Sequence, residues 1–254
     1  LRRIERHVTD LTLNAPLRYA GSLVVGQRIE LAPAHVRGLG FREVNPKEAF
    51  TLVDERGGFF RASLIAVGKT SGEALVYEAM ASSPESPVHI TLLCAVLARQ
   101  RMLTVVQKAT ELGVARVVPV LSERSVRPED LAHEKAHAWP RQALRAVRQC
   151  RRASVPEIRK ATPFGAALAD ASFQAADRRV YLDDRDSDTA PPDPSSAVKR
   201  LAFAVGPEGG FTDAERRLLQ DSGASVLRFG GRILRAETAV LVGLTLLQHE
   251  YGDL

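Results

Sequence analysis

Two glycine-containing segments and one stripe of arginines hold the residue types whose spacing could do chemistry in this sequence. The run Phe203-Ala204-Val205-Gly206-Pro207-Glu208-Gly209-Gly210-Phe211 joins an apolar stretch to a polar helix start. Glycine lets a backbone approach a ligand closely, and proline stiffens the turn. The spacing is not GxGxxG and no Lys-Ser/Thr pair follows, so dinucleotide and triphosphate binding fit poorly. The second run is Phe229-Gly230-Gly231-Arg232-Ile233-Leu234-Arg235-Ala236-Glu237-Thr238-Ala239. Arg232 and Arg235 stand three residues apart and can face one side of a turn, where they suit phosphate or carboxylate. A surface arginine pair beside a helix cap is the plainer alternative. Arg141, Arg145, Arg148 and Arg152, at steps of four, three and four residues, share a helical face with Arg151 beside them. No acidic residue lies between Arg141 and Pro156. A solvated face normally mixes both signs, so this stripe is expected to track phosphates. Ser122-Glu123-Arg124-Ser125 reads equally as a turn or as part of a site, and Lys108 with Glu111 as a surface ion pair.

The elements that must position these residues follow from periodicity. Residues 1–80 read as short β segments: one strand or hairpin over 21–31, a hairpin of 49–53 with 59–64 around Asp54-Glu55-Arg56-Gly57-Gly58, and a strand over 74–79. Strands so spaced suggest a small β-barrel. Residues 81–87, rich in Ser and Pro, read as a linker. Over 88–254 the pattern changes to alternating strands and helices, which implies a mostly parallel α/β sheet. Strands are expected at 88–97, 116–121, 179–182, 201–205 and 226–229, with helices at 102–112, 131–152 (bent near Pro140), 212–219 and 237–250. Thr212 with Glu215 forms a capping box at the third of these helices. The acidic, Pro-rich stretch 183–194 is expected to be a mobile loop. Ligands of open α/β sheets bind at the carboxyl ends of strands, where both glycine segments fall.

Composition limits the class. The chain has 254 residues, 45% apolar and 26% charged, the balance of a soluble globular protein with room for a large core. No apolar run is long enough to span a bilayer, and the charged start Leu1-Arg2-Arg3-Ile4-Glu5-Arg6 lacks the apolar stretch of a secretory signal. The two cysteines, Cys94 and Cys150, have no metal-ligand neighbours, and the histidines no metal spacing. Reduced thiols in a cytoplasmic protein without a metal are expected. The net charge of +5 favours an anionic partner.

In order along the chain, Gln107-Lys108-Ala109-Thr110-Glu111-Leu112-Gly113-Val114, Ser122-Glu123-Arg124-Ser125, Gln149-Cys150 with Arg152 and Val155-Pro156-Glu157-Ile158, Gly206-Pro207-Glu208-Gly209-Gly210 and Arg232-Ile233-Leu234-Arg235-Ala236-Glu237-Thr238-Ala239 resemble the ribosomal RNA small subunit methyltransferase E family. The resemblance covers essentially the whole chain. It implies an N-terminal PUA-like β-barrel that binds RNA, then a SPOUT-type α/β domain whose C-terminal segment forms a trefoil knot, an exception to the rarity of knots. It also implies a homodimer, S-adenosylmethionine as cofactor, and 3-methyluridine in 16S rRNA as product. The cofactor-binding positions carried over are Leu182, Gly206, Pro207, Glu208, Gly209, Gly210, Phe229, Gly230, Gly231, Ile233, Leu234, Thr238 and Ala239. RNA contacts are expected from Arg6, His35, Arg42, Arg124 and the stripe Arg141, Arg145, Arg148, Arg151 and Arg152. Arg148 stands where the family often has Glu, and Gly231 where Pro or Lys is common.

N3 of uridine is a poor nucleophile until its proton leaves. A carboxylate could take that proton, Glu237 ahead of Glu208, while Arg232 or Arg235 stabilises the anion. N3 lies on the pairing edge, so the target base must be unpaired or flipped out. Other readings are a non-catalytic RNA-binding or ribosome-assembly protein, a nucleotide-dependent enzyme, and a methyltransferase acting on a different RNA position.

Overall fold

A computed structural model describes residues 11–184 and 198–254. The chain divides into two units. One holds the described residues up to Glu85 together with Val147–Val155; the other holds Ser86–Ala146 and the described residues from Pro156 onward. Arg6 and most of the acidic stretch 183–194 lie outside the described residues.

The first unit contains β1 (Leu17–Arg18), β2 (Arg28–Leu31), α1 (Pro33–Phe41), β3 (Ala49–Val53), β4 (Phe59–Val67) and β5 (Gly72–Ala79). They form a five-stranded sheet in the order β1-β3-β4-β5-β2. Strands β3 and β4 are the expected hairpin. Its turn is closed by Asp54, whose Oδ1 accepts from the amides of Arg56 at 2.9 Å and Gly58 at 2.8 Å. Alternate residues of the strands, among them Ile29, Leu31, Phe50, Leu52, Ala62, Leu64, Ala74 and Val76, fill one core. The expected strand over 21–31 shrinks to its last four residues, because Val24–Gln27 make a turn with Gly26 at φ +90. Helix α1 was not expected at all. Gly38 and Gly40 depress its helix propensity, yet a Cβ at Gly38 would stand 2.4 Å from the Leu17 side chain, so packing requires glycine there.

Residues 147–155 join this sheet through buried polar contacts. Arg152, expected on an RNA-facing stripe, is buried with its guanidinium paired to Glu85 at 2.8 Å. Arg42, also expected to meet RNA, is buried, and donates to the carbonyls of Leu13, Gly38, Ala15 and Ala153. Burial pulls the Arg42 guanidinium down to about 10, against the attraction of Glu85. A side chain 5% exposed cannot reach a phosphate, so both assignments are corrected: these two arginines hold the unit together. Glu85, expected in a plain linker, is its central acceptor.

The second unit starts with β6 (His89–Ala95), α2 (Arg99–Glu111) and β7 (Arg116–Leu121). Next come α3 (Trp139–Cys150), whose last four residues belong to the first unit, then β8 (Glu157–Ile158), β9 (Thr162–Pro163), α4 (Phe164–Ala169) and α5 (Ala171–Gln174). It ends with β10 (Arg178–Leu182), β11 (Arg200–Val205), α6 (Asp213–Asp221), β12 (Ser225–Leu227) and α7 (Ala236–Tyr251). All strand pairs are parallel, in the order β12-β10-β11-β6-β7-β8, with β9 beside β7.

The period of two divides each strand between two cores. Ile90, Leu92 and Cys94 of β6 pack with α2 and α7, whereas Leu93 packs in a core containing α4 and Leu219 of α6. Both sheet faces are therefore buried, which is why these strands read as continuous apolar runs. On α7, a Cβ at Gly243 would come within 2.4 Å of the Phe203 ring, so glycine sets how closely this helix lies on β11. The expected long helix over 131–152 is shorter. Two 3-10 turns and Lys135 at φ 54 precede it, and Pro140 sits in its first turn, where the missing N–H costs nothing. Pro140 marks a start rather than a bend.

Strand β11 lies between β6 and β10, and β12 takes the far side of β10, although the chain reaches β10 first. Tyr181 is in register with Ala204, and Leu182 with Leu227. The carboxyl ends of β10, β11 and β12 thus share one edge.

Candidate active site

That edge is where the two glycine segments leave the sheet. After β11, Gly206 and Pro207 are buried while Glu208 and Gly209 are exposed. The turn closes through the amide of Gly210, which donates to the Pro207 carbonyl at 2.8 Å with Gly210 at φ +68. A Cβ at Gly206 would lie 3.2 Å from the Phe211 amide, so the chain doubles back more tightly than another residue allows comfortably.

A second turn, after β7, supports the first. Ser125 Oγ accepts from the Ser122 amide at 2.9 Å, closing Ser122–Ser125 on itself. Arg124 then donates to the Gly209 carbonyl at 2.7 Å. Glu215 ties both turns together: Oε2 accepts from the Thr212 amide and Oε1 from the Glu123 amide, each at 2.9 Å. The capping box is therefore also a cross-link between strand ends. Glu215 is 6% exposed, so Glu215→Ala leaves two amides without their acceptor. We expect it to lower the unfolding free energy by about 1–3 kcal/mol. Faster hydrogen exchange at the Glu123 and Thr212 amides would distinguish this local loosening from a uniform loss; unchanged exchange at both would refute the cross-link.

The segment after β12 is open. Gly230, Gly231, Arg232 and Arg235 are exposed, Phe229 and Leu234 are partly buried, and Ile233 is 94% exposed. Gly231 takes φ +89, outside the ordinary range for other residues. Arg235 is the N-cap of α7 by its backbone, its carbonyl accepting from the Ala239 amide at 2.8 Å, but its side chain makes no capping bond. The guanidinium is therefore not consumed in starting the helix. Thr238 is exposed, Ala239 is buried, and Leu182 is partly buried at the end of β10.

The two acidic candidates meet through a residue the motif reading missed. Arg101, in the first turn of α2, bonds Glu208 Oε1 through Nη1, and its Nε lies 3.9 Å from Glu237 Oε1. Glu208 follows β11 and Glu237 opens α7, so one guanidinium joins both. The signal for Arg101 was its place at a helix start following β6, the strand next to β11. Cys94 lies near this group as well. Burial, with some help from the Glu208 charge, pushes its thiol up to about 12, so it stays protonated and is no nucleophile.

The arginine stripe is not one surface. Arg141 and Arg145 are exposed on α3 in the second unit. In the first unit Arg148 donates to the Glu43 carbonyl at 2.8 Å and lies 3.6 Å from Glu48, while exposed Arg151 pairs with Glu78 at 3.1 Å. The acidic partners are distant in sequence, so the sign-mixing absent from the local run comes from elsewhere. His35 is engaged at both ring nitrogens, with the Ala32 amide at 3.1 Å and the Arg18 carbonyl at 2.8 Å. Lys108 and Glu111 form the expected pair at 2.8 Å. Among the described residues, no group of three or more His, Cys, Asp or Glu side chains could hold a metal, and no helix is long and apolar enough to cross a membrane.

A family model described as RNA methyltransferase domain matches residues 84–248. The ribosomal RNA small subunit methyltransferase E of Aquifex aeolicus is 28% identical over 225 residues, covering 88% of this chain and 95% of that protein. A crystal structure of a ribosomal RNA small subunit methyltransferase E from Neisseria gonorrhoeae bound to S-adenosyl methionine superposes with a TM-score of 0.65 at 30% identity, covering 94% of this chain and 99% of that one. A methyltransferase from Legionella pneumophila in complex with SAM gives 0.62 at 31% identity, covering 94% and 98%. With its parallel sheet, its glycine turns at one sheet edge and a match over most of its length, the chain belongs to the RNA methyltransferase domain family, among the ribosomal RNA small subunit methyltransferase E proteins.

Proposed function

We propose that this protein transfers a methyl group from S-adenosylmethionine to N3 of a uridine in 16S ribosomal RNA of the small subunit. The observation that carries the reading is the single edge at which β10, β11 and β12 end: two glycine turns leave the sheet there, and Arg101 reaches Glu208 and Glu237 from α2. Neisseria and Legionella relatives at 30% and 31% identity hold the cofactor, which supports the same ligand here. The setting is the cytoplasm, from the two reduced thiols, and the assembly a homodimer, from the family resemblance.

The residues fit the cofactor. Glycines at 206, 209, 210, 230 and 231 keep the turns bare of side chains, and the open segment after β12 offers backbone groups outside the sheet ladder. Leu182, Gly206, Pro207, Glu208, Gly209, Gly210, Phe229, Gly230, Gly231, Ile233, Leu234, Thr238 and Ala239 would hold it. When bound, S-adenosylmethionine supplies an electrophilic methyl on sulfur. The protein's own task is to align donor and acceptor, remove the N3 proton and stabilise the resulting charge. Glu237, or Glu208 behind it, accepts the proton, and Arg232 and Arg235 face the oxygens on which charge collects. Arg124, Arg141 and Arg145, all exposed, meet phosphates. Arg148, Arg151 and His35 join them, and RNA phosphates compete there with internal partners, as they do at Arg124 with the Gly209 carbonyl.

The insertion of β11 between β6 and β10, followed by the return of α7 to α2, supports a SPOUT-type arrangement with a C-terminal trefoil knot. We assign residues 1–80 as a PUA-like RNA-binding barrel, 81–87 as a linker and 88–254 as the methyltransferase domain. The five-stranded sheet of the first unit supports the barrel, and its packing of 147–155 draws part of α3 toward that role.

Incubation of the purified protein with methyl-labelled S-adenosylmethionine and either free 16S rRNA or small subunits, followed by nucleoside mass spectrometry, tests the assignment. We expect label in 3-methyluridine, and that nucleoside missing from rRNA of cells lacking the protein. Label on another atom moves the target; saturable RNA binding with no label at all points to a non-catalytic assembly role.

A further inference from the structure

We infer that Arg101 is a positioning residue, whose charge holds Glu237 with one carboxylate oxygen unpartnered and ready to accept the proton of the target base. The inference rests on the proposed methyl transfer and adds a residue to it.

Two other carboxylates, buried Glu215 and partly buried Glu85, set the comparison. Glu215 uses both oxygens on backbone amides, and Glu85 accepts from Arg152, Ala153 and Ser154. Glu237, with its side chain 17% exposed, differs. Its Oε1 faces Arg101 Nε at 3.9 Å, while its Oε2 is buried and has no hydrogen-bond partner among the described residues. Leaving such an acceptor unmade is costly, and Glu237 Oε2, unlike the oxygens of Glu215 and Glu85, is left for a donor that a ligand would bring.

Arg101 supplies the positioning charge. Its planar fork spans two carboxylates on separate elements, Glu208 after β11 and Glu237 at the start of α7, from a third element, α2. Without the cation, two like charges at the same edge repel, and Glu237 is free to turn its open oxygen away. In the step this serves, the N3–H bond breaks and the proton passes to Glu237 Oε2. The nitrogen pair forms the N–CH3 bond, and the sulfur keeps the pair of the broken S–CH3 bond. The carboxyl proton then goes to water.

Single-turnover methylation at saturating S-adenosylmethionine and rRNA tests this, with calorimetry for cofactor affinity and a melting curve for folding. Arg101→Ala is expected to slow the step at least about tenfold, a part of what a general base contributes, with cofactor Kd changed less than about threefold. Arg101→Lys should recover part of the rate, since it keeps charge but not the fork. Added guanidinium ion should restore Arg101→Ala but not Glu237→Gln, a rescue that a scaffold residue would not give. A full rate in Arg101→Ala overturns the inference, as does a rate loss that only follows weaker cofactor binding or a lower melting temperature. If the unaltered protein forms no methylated nucleoside, the methyl-transfer assignment fails with it; if it methylates and Arg101→Ala does so equally, only the role of Arg101 fails.

Discussion

Arg235→Ala is expected to lower the methylation rate by about 10²–10³-fold, the usual effect of deleting a group that stabilises developing negative charge. The same change should leave S-adenosylmethionine affinity within a few-fold, because the contacts assigned to this turn come from backbone. Arg235 caps α7 through its carbonyl alone, and the guanidinium makes no capping bond. Truncation therefore removes no helix cap, and an exposed side chain contributes little to folding. What is lost is an exposed cation two residues before Glu237, at the N-cap of the helix that carries the proposed proton acceptor. A base that removes the N3 proton leaves negative charge on the uracil ring and its oxygens, and that charge needs a positive partner. Arg235→Lys should fall between the two, keeping charge without the fork. Rates measured at saturating RNA separate this from weaker substrate binding. Survival of normal turnover in Arg235→Ala would mean the anion is stabilised elsewhere, with Arg232 the next residue to examine.

The parts of the fold that could be read from the sequence share one property: their cause is local. Strands β6, β7 and β11 announce themselves as unbroken apolar runs because both sheet faces are covered. Thr212 and Glu215 declare a helix start three residues apart. Both glycine segments declare a strand end. The failures have causes distant in sequence. Helix α1 survives Gly38 and Gly40 because Leu17 packs against the gap that glycine leaves. Arg101 and Glu208 are 107 residues apart, and no periodicity links them. Arg152 reads as part of the arginine stripe for the same reason. Nothing in the run 141–152 distinguishes Arg145, which is exposed, from Arg152, whose counter-charge is Glu85. A buried arginine and a phosphate-binding arginine are the same letter, and only the partner separates them.

The largest stability loss is expected at that partner, Glu85→Ala. The carboxylate accepts from Arg152 Nε at 3.1 Å and Nη2 at 2.8 Å, from the amides of Ala153 at 2.8 Å and Ser154 at 2.9 Å, and from the Ser154 hydroxyl. It also offsets part of the burial that depresses Arg42, whose guanidinium shares the Ala153 carbonyl. Removing the carboxylate strands a guanidinium that is 5% exposed, and takes the acceptor from two amides that have turned toward it. Breaking a buried pair from one side costs about 3–5 kcal/mol, because the remaining charge has lost its compensation and cannot reach water. Glu85→Gln keeps the shape and one carbonyl acceptor, so it should lose less. Denaturant unfolding of the three proteins gives the energies, and hydrogen exchange at Ala153 and Ser154 gives the location. Because the unit is held by this carboxylate at a segment remote in sequence, exchange at those two amides should rise before the hairpin of β3 and β4 opens. If the alanine protein unfolds at the same denaturant concentration as the parent, the Glu85 cluster is a surface contact of little weight and residues 147–155 are held to the first unit by the apolar packing around Ala153 and Val155.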